Sequence, residues 1–126
     1  MNLKYKYYHG DNTALIEKIK SLLNKEKDIL LAIIFGSFVD LNSFRDIDLA
    51  IYSTKKDFNY YTQLSAKLEL QLKLPIDVIP LNELSPIFRR KILSKGIITI
   101  ERIPGLHEAL LNQANDETTL QNYSNK

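Results

Sequence analysis

The first half of the chain contains one segment with helical periodicity, followed by two segments with strand periodicity. Apolar residues recur three and four positions apart between Asn12 and Lys25, which predicts a helix capped by Asp11 or Asn12. The continuous apolar run from Ile29 to Phe35, ILLAIIF, is typical of a strand that is covered on both faces. In the segment DIDLAIY that follows, acidic and apolar residues alternate, and this predicts a second strand.

A second helix and a third strand are predicted between residues 57 and 81. Asp57 is placed to cap a helical stripe that ends before Pro75, because the residue before a proline avoids helical geometry. The segment IDVIPL, from Ile76 to Leu81, predicts a short strand, and Pro80 favours a strand end or a sheet edge. The stripe of this helix comprises Phe58, Tyr61, Leu64, Leu68 and Leu72.

A third helix, a fourth strand and a last helix complete the predicted elements. Pro86 suits the first turn of a helix and Gly96 suits a helix end, so the third helix is expected between them. The segment IITIE then predicts a strand, and residues 104–114 predict a final helix. The apolar positions expected to pack are Ile87, Ile92 and Leu93 in the third helix, and Leu106, Ala109 and Leu110 in the last.

The order of these elements predicts an α/β or α+β fold, in which a mixed sheet of about four strands packs against helices. A chain of 126 residues with 44% hydrophobic content fits one domain with a substantial core. We expect this core within residues 1–103. Residues 104–126 would then add the C-terminal helix and a polar tail, DETTLQNYSNK, that is partly flexible.

Composition restricts the class of protein. The net charge is only +2, so the excess of basic residues expected of a dedicated nucleic-acid binder is missing. The N-terminal segment KYKYYHG favours packing of its tyrosines on the first helix over a nucleic-acid contact. There is no cysteine, and the longest apolar run is too short to span a membrane. We therefore expect a soluble, cytoplasmic protein with no membrane partner.

The candidate chemistry begins with acids embedded in apolar strand sequence. Residues two apart on a strand point the same way, so Asp46 and Asp48 present two carboxylates to one side of the sheet. Asp77, flanked by Ile76 and Val78, would join them if its strand is adjacent. A lone acid pair is most often surface charge, but buried carboxylates need a partner, and clustered hard oxygen ligands suit Mg²⁺.

Gly36 and Ser37, which directly follow the first strand, add a candidate phosphate site. Glycine allows the backbone to approach a phosphate closely, and serine contributes a hydroxyl next to free N–H groups at a helix start. Ser37 could instead serve only as a helix cap. Together with three acids, such a turn is what two-metal nucleotidyl transfer requires.

In this order, FGS, DIDLAIY and IDVIPLNELSPIFRRKILSKGIITIE resemble the minimal nucleotidyltransferase (MNT) family of the polymerase-beta-type superfamily, over about Leu30 to Arg102. Many members are antitoxins of HEPN/MNT toxin–antitoxin pairs. The resemblance implies that the chain uses ATP and two Mg²⁺ ions to transfer AMP to a tyrosine of a partner HEPN ribonuclease toxin. Asp46, Asp48 and Asp77 would be the catalytic metal ligands.

Alternatives remain open at this stage. The segment between Ser37 and Asp46 is shorter than usual for the family, and FVDLNSF lacks the arginine and glycine often found there. A non-catalytic MNT-fold antitoxin that acts by binding, and a small-molecule nucleotidyltransferase, are therefore also hypotheses, and a homo-oligomer is not excluded. The basic run from Arg89 to Lys91 is a solvated face, a contact for an acidic partner or a contact for nucleotide phosphates.

Overall fold

The computed structural model describes residues 8–9, 12–40, 43–44, 46–55 and 57–124. Its elements follow the predicted order, with two additional short strands and two additional short helical turns. They are β1 (Tyr8–His9), α1 (Thr13–Asn24), β2 (Ile29–Phe35), α2 (Ser37–Asp40), β3 (Ser43–Phe44), β4 (Ile47–Ser53), α3 (Phe58–Leu72), β5 (Ile76–Pro80), a 3₁₀ turn (Leu81–Glu83), α4 (Pro86–Lys95), β6 (Ile97–Glu101) and α5 (Leu106–Ser124).

The main sheet has four strands in the order β5-β4-β2-β6. Strand β2 is antiparallel to both of its neighbours, whereas β4 and β5 run parallel, so the sheet is mixed as predicted. The register places Phe35 opposite Asp48 and Asp48 beside Asp77. The end of β2 that leads into Gly36 therefore lies next to the acids.

Helices cover both faces of the sheet, because β2 and β4 alternate two sets of apolar side chains. One face packs against α1 and α3, and the other packs against α4 and α5. The predicted burial of β2 on both faces is confirmed, since five of its seven residues are buried. The first core includes Ile19, Leu23, Ala32, Ile34, Leu49, Leu64 and Leu68, and the second includes Leu31, Ile33, Ala50, Ile92, Leu93 and Ala114.

Strand β5 forms one edge of the sheet, as Pro80 predicts. Helix α3 fixes this edge through two side chains: Glu69 Oε1 accepts a hydrogen bond from the Ile76 amide at 2.9 Å, and the Ser65 hydroxyl donates to the Ile76 carbonyl. These bonds satisfy edge groups that would otherwise attract another strand. They also hold the residue before Asp77 in place.

Most helix boundaries follow the predicted signals. Asp57 caps α3, accepting from the Asn59 amide at 3.0 Å, and Ser85 caps α4 ahead of Pro86. In α3 and α4, two assignments to buried faces were wrong. Phe58 is 76% exposed and Ile87 is 52% exposed. Both lie in the first turn of their helices, where the chain is still approaching the sheet.

The last helix is longer than predicted, because it extends to Ser124 instead of ending near Ala114. Polar contacts hold this extension. Glu117 forms a salt bridge with Arg89 of α4, and the buried Thr118 hydroxyl donates to the Ala114 carbonyl at 2.7 Å. Leu106, Leu110 and Leu111, near the start of α5, pack on the second core. Ala109, assigned to the contact face, is exposed.

The two short strands β1 and β3 pair with each other, and the sequence pattern did not predict them. Strands of two residues are too short to show any alternation. The proposed packing of the tyrosines in KYKYYHG lies outside the described residues, as does the cap assigned to Asp11. Within the described residues, no helix combines the length and apolar content needed to cross a membrane.

Candidate active site

Three carboxylates converge at one end of the sheet. Asp46 lies just before β4, Asp48 lies within it, and Asp77 lies beside Asp48 on parallel β5. Each offers an oxygen, and these oxygens all lie within 4.8 Å of one another. The start of β4 is tied to β5 because the Ile47 amide donates to the Pro75 carbonyl at 3.0 Å. The convergence expected from strand periodicity is thus confirmed, and the role of these residues stays a prediction.

The electrostatics of the cluster are dominated by uncompensated negative charge. Burial, and after it the negative charges of Asp46 and Asp77, raise the pKa of Asp48 to about 6. Among the described residues, none of the three carboxylates forms a salt bridge with a cationic side chain. The cluster is therefore an acidic centre whose charge this part of the protein does not neutralise.

Gly36 brings the backbone directly against this centre. Its φ is +83°, a conformation that favours glycine, and a Cβ atom there would lie 2.4 Å from Asp48 Oδ2. Any larger residue would displace the carboxylate. Gly36 was predicted from sequence to let the backbone approach a phosphate. The structure gives a second reason for glycine at this position, because a side chain would collide with Asp48.

Ser37 follows as the first residue of the four-residue helix α2 and is half-buried. The turn closes through a hydrogen bond of 3.0 Å from the Val39 amide to the Gly36 carbonyl. Within the described part of the chain, the Ser37 hydroxyl has no hydrogen-bond partner, so a purely capping role has no contact to support it. The role of Ser37 in phosphate binding stays a prediction.

A cleft of about 250 Å³ opens beside the acidic centre. Asp48 and Gly36 lie at the sheet, and helix α4 supplies Phe88, Lys91 and Lys95. The sequence analysis gave three possible roles to the basic run that contains Lys91, and one of them was contact with nucleotide phosphates. It did not single out Lys95 or Phe88. The full lining comprises Phe35, Gly36, Val39, Asp48, Phe88, Lys91, Ile92, Lys95 and Gly96.

The donor set fits a hard divalent cation. Three carboxylates supply oxygen atoms only, at mutual distances that one or two ions can bridge, and Mg²⁺ prefers oxygen ligands that leave room for water or phosphate. A cation there would also compensate the negative charges of Asp46 and Asp77, which after burial contribute to the raised pKa of Asp48. Asp46, Asp48 and Asp77 are thus the residues able to hold Mg²⁺.

The family assignment rests on the sequence as a whole. Residues 17–104, well over half of the chain, match the family model described as polymerase beta, nucleotidyltransferase. The chain belongs to this nucleotidyltransferase family. The matched range contains Gly36, Ser37 and all three aspartates. No curated protein matches the chain as a relative.

Solved structures of toxin–antitoxin complexes share the fold. A chain of a toxin–antitoxin complex with AMP-PNP is 20% identical, with a TM-score of 0.75 over 86% of this chain and 90% of that one. A chain of the complex of tri-AMPylated Shewanella oneidensis HEPN toxin with MNT antitoxin is 19% identical, with a TM-score of 0.74 over 90% of this chain and 92% of that one. A chain of an MntA–HepT toxin–antitoxin complex is 19% identical, with a TM-score of 0.70 over 86% of this chain and 88% of that one. This structural similarity, together with the family match, confirms the predicted fold class.

Proposed function

We propose that the protein is a Mg²⁺-dependent protein adenylyltransferase and the antitoxin of a HEPN/MNT pair, which transfers AMP from ATP to a tyrosine of its partner toxin. The observation that carries the proposal is the meeting of three carboxylates within 4.8 Å beside the Gly36–Ser37 turn. Membership of the nucleotidyltransferase family supports the reaction class. The complexes with AMP-PNP and with AMPylated HEPN toxin support the substrates.

The proposed reaction is a single displacement at the α-phosphorus, in which the three aspartates and the Gly36–Ser37 turn have different roles. The acceptor hydroxyl oxygen forms a bond to the α-phosphorus, the bond from that phosphorus to the bridging oxygen breaks, and pyrophosphate leaves. Asp46, Asp48 and Asp77 would together hold two Mg²⁺ ions, and Asp77 would also orient the hydroxyl and accept its proton. Bound Mg²⁺ would supply charge neutralisation and a lower pKa for the attacking hydroxyl. Gly36 and Ser37 would hold the triphosphate through N–H groups and a hydroxyl.

The accessibility of the centre favours a protein acceptor. Asp77 is exposed on the edge strand, and the cleft beside Asp48 is about 250 Å³. That volume is below the roughly 300–1,000 Å³ of pockets that enclose a small ligand. A nucleotide and a small-molecule acceptor would not both be enclosed there. A partner protein that presents a tyrosine would supply the missing wall.

The direct test is a transfer assay. The protein is mixed with the product of its adjacent reading frame, ATP and Mg²⁺, and the intact mass of that product is recorded. We expect the mass to rise by one or more AMP units, and peptide mapping should place each unit on tyrosine. An unchanged mass would contradict the enzymatic proposal.

A variant experiment separates this proposal from the two alternatives. If Asp46, Asp48 and Asp77 are all changed to Asn, a catalytic antitoxin should no longer neutralise its toxin in cells. Full neutralisation by that variant would favour an antitoxin that acts by binding alone. Transfer of AMP to a small molecule such as an aminoglycoside, without modification of the protein partner, would favour the small-molecule reading.

A further inference from the structure

The basic residues of α4 have different environments, although they lie close together in sequence. Arg89 is used within the domain: its Nε donates to the Leu84 carbonyl at 3.1 Å, and its Nη2 pairs with Glu117 of α5. Arg90 is exposed and does not line the cleft. Lys91 and Lys95 both line it. The helix therefore presents one structural cation, Arg89, and two cations, Lys91 and Lys95, that border the cleft.

Lys91 and Lys95 carry charges that nothing in the described part of the chain neutralises. They are exposed, and neither forms a salt bridge with a described acidic residue. Four residues apart on a helix, they are neighbours, and two like charges at this spacing destabilise a helix slightly. Such a pair is stabilised by an anion that contacts both ammonium groups.

The cleft places this pair opposite the acidic centre. Asp48 and Gly36 border the cleft from the sheet, and the lysines border it from α4, so a single ligand of moderate size touches both. Apolar side chains complete the lining, including an edge-to-face pair of Phe35 and Phe88 with ring centroids 6.0 Å apart.

We propose that Lys91 and Lys95 bind the β- and γ-phosphates of the nucleoside triphosphate, and thereby orient its pyrophosphate leaving group. This inference rests on the proposed function, because it requires the α-phosphate to lie at the carboxylates. An ammonium group near the leaving oxygen opposes the charge that develops as the bond to the α-phosphorus breaks. The sequence gave three possible roles for Lys91. Its position in the cleft favours the contact with nucleotide phosphates and adds Lys95 to that contact.

Binding measurements test the inference separately from catalysis. The full-length protein is titrated with AMP-PNP, ADP and AMP in the presence of Mg²⁺, using calorimetry. For Lys91→Gln and Lys95→Gln we expect the affinity for AMP-PNP to fall about tenfold each, the value of one charge-assisted hydrogen bond. The affinity for AMP should change less than twofold. Lys91→Arg and Lys95→Arg should retain most of the affinity, since they keep the charge.

Arg90→Gln is the matched control, because it removes one positive charge from the same helix outside the cleft. It should leave the affinity for AMP-PNP unchanged, and melting temperatures check that every variant is folded. Equal affinities in the lysine variants and the control would overturn the inference while leaving the proposed function intact. An equal loss for AMP and AMP-PNP would also overturn it, because the lysines would then contact another part of the nucleotide. Failure of the parent protein to bind any nucleotide would contradict the proposed function itself.

Discussion

Two charged centres lie at opposite ends of strand β2, and they differ in whether the described part of the chain supplies partners for their charges. At the end that contains Ile29, the guanidinium of Arg102 inserts against the C-terminus of α1. At the other end, Phe35 and Gly36 lie against Asp48 and its neighbouring carboxylates. The first centre is fully engaged with the chain, and the second is not.

The guanidinium of Arg102 illustrates a charge that is used for stability. Its Nε donates to the Ile29 carbonyl at 2.6 Å, and its Nη2 donates to the carbonyls of Asn24 and Glu26 at 2.9 and 3.0 Å. These carbonyls include groups at a helix C-terminus, where a cation is favourable and partners are needed. Arg102 thus joins α1, β2 and the end of β6.

The acidic centre illustrates the opposite case. Burial, and after it the repulsion of the neighbouring carboxylates, raises the pKa of Asp48 to about 6, and no described cation forms a salt bridge with them. Such an arrangement costs stability and is retained where a ligand supplies the missing charge. The comparison teaches that the partners of a charge, more than its burial, separate a structural role from a functional one.

The largest expected effect comes from removing a charge at the acidic centre. Asp48→Asn should lower the rate of AMP transfer by about a thousandfold or more, because two-metal catalysis depends on this carboxylate. Asp77→Asn should lower the rate while preserving AMP-PNP affinity, since we assign Asp77 to the acceptor. The rate is read from intact masses over time. Similar transfer rates in Asp48→Asn and the parent protein would contradict the functional assignment of this end.

Removing the charge at the other end should affect stability instead. Arg102→Met keeps much of the side-chain length and leaves several carbonyls without a donor, so we expect the free energy of unfolding to fall by about 3 kcal/mol. Chemical denaturation measures this change. The affinity of the folded fraction for AMP-PNP should remain that of the parent. A variant with parental stability but weakened nucleotide affinity would reverse the comparison.

Gly36→Ala should combine both kinds of effect. The positive φ alone costs about 1 kcal/mol, and the collision with Asp48 adds about as much again. Gly105→Ala is the matched control, because Gly105 has a φ of +86° and no atom within 4 Å of an added Cβ. The control should lose only the conformational part of the stability and keep its Mg²⁺-dependent nucleotide binding. Equal losses in both variants would show that contact with Asp48 is unimportant.

The smallest effect concerns pH. The pKa of Asp48 is higher in the folded protein than its ordinary value, so folding favours the protonated form, and stability falls as pH rises through about 4 to 6. In the absence of metal, Asp48→Asn should therefore stabilise the protein at pH 7.5, because it removes an unfavourable negative charge. The gain should be only about 1 kcal/mol, since solvent screens a half-buried carboxylate. At pH 4 the gain should vanish. Denaturation curves at the two pH values check this, and an equal gain at both would point to a cause other than charge.

Much of the site follows from sequence, because strand periodicity is a strong local rule. Residues two apart share a face, which predicted the pairing of Asp46 with Asp48, and parallel β5 brought Asp77 alongside. The buried runs, the cap at Asp57 and the place of Pro86 in the first turn of α4 likewise depend on neighbours in the chain. These features were predictable because each has a cause within a few residues.

The remaining features depend on contacts between distant segments. The cleft with Lys91 and Lys95 arises from the packing of α4 against the end of β2, which no local pattern specifies. The extension of α5 depends on the salt bridge from Arg89 to Glu117, two residues that each look like ordinary surface charge in sequence. The exposure of Phe58 depends on where α3 meets the sheet.

The central claim is that Asp46, Asp48 and Asp77 form one divalent-cation site, and metal binding tests it most directly. Mn²⁺, as a spectroscopic substitute for Mg²⁺, is titrated into the protein with AMP-PNP and followed by electron paramagnetic resonance. We expect two bound ions per chain, and loss of both when all three aspartates are changed to Asn. Unchanged Mn²⁺ binding in that variant, or nucleotide binding by the parent protein with no bound ion, would contradict it.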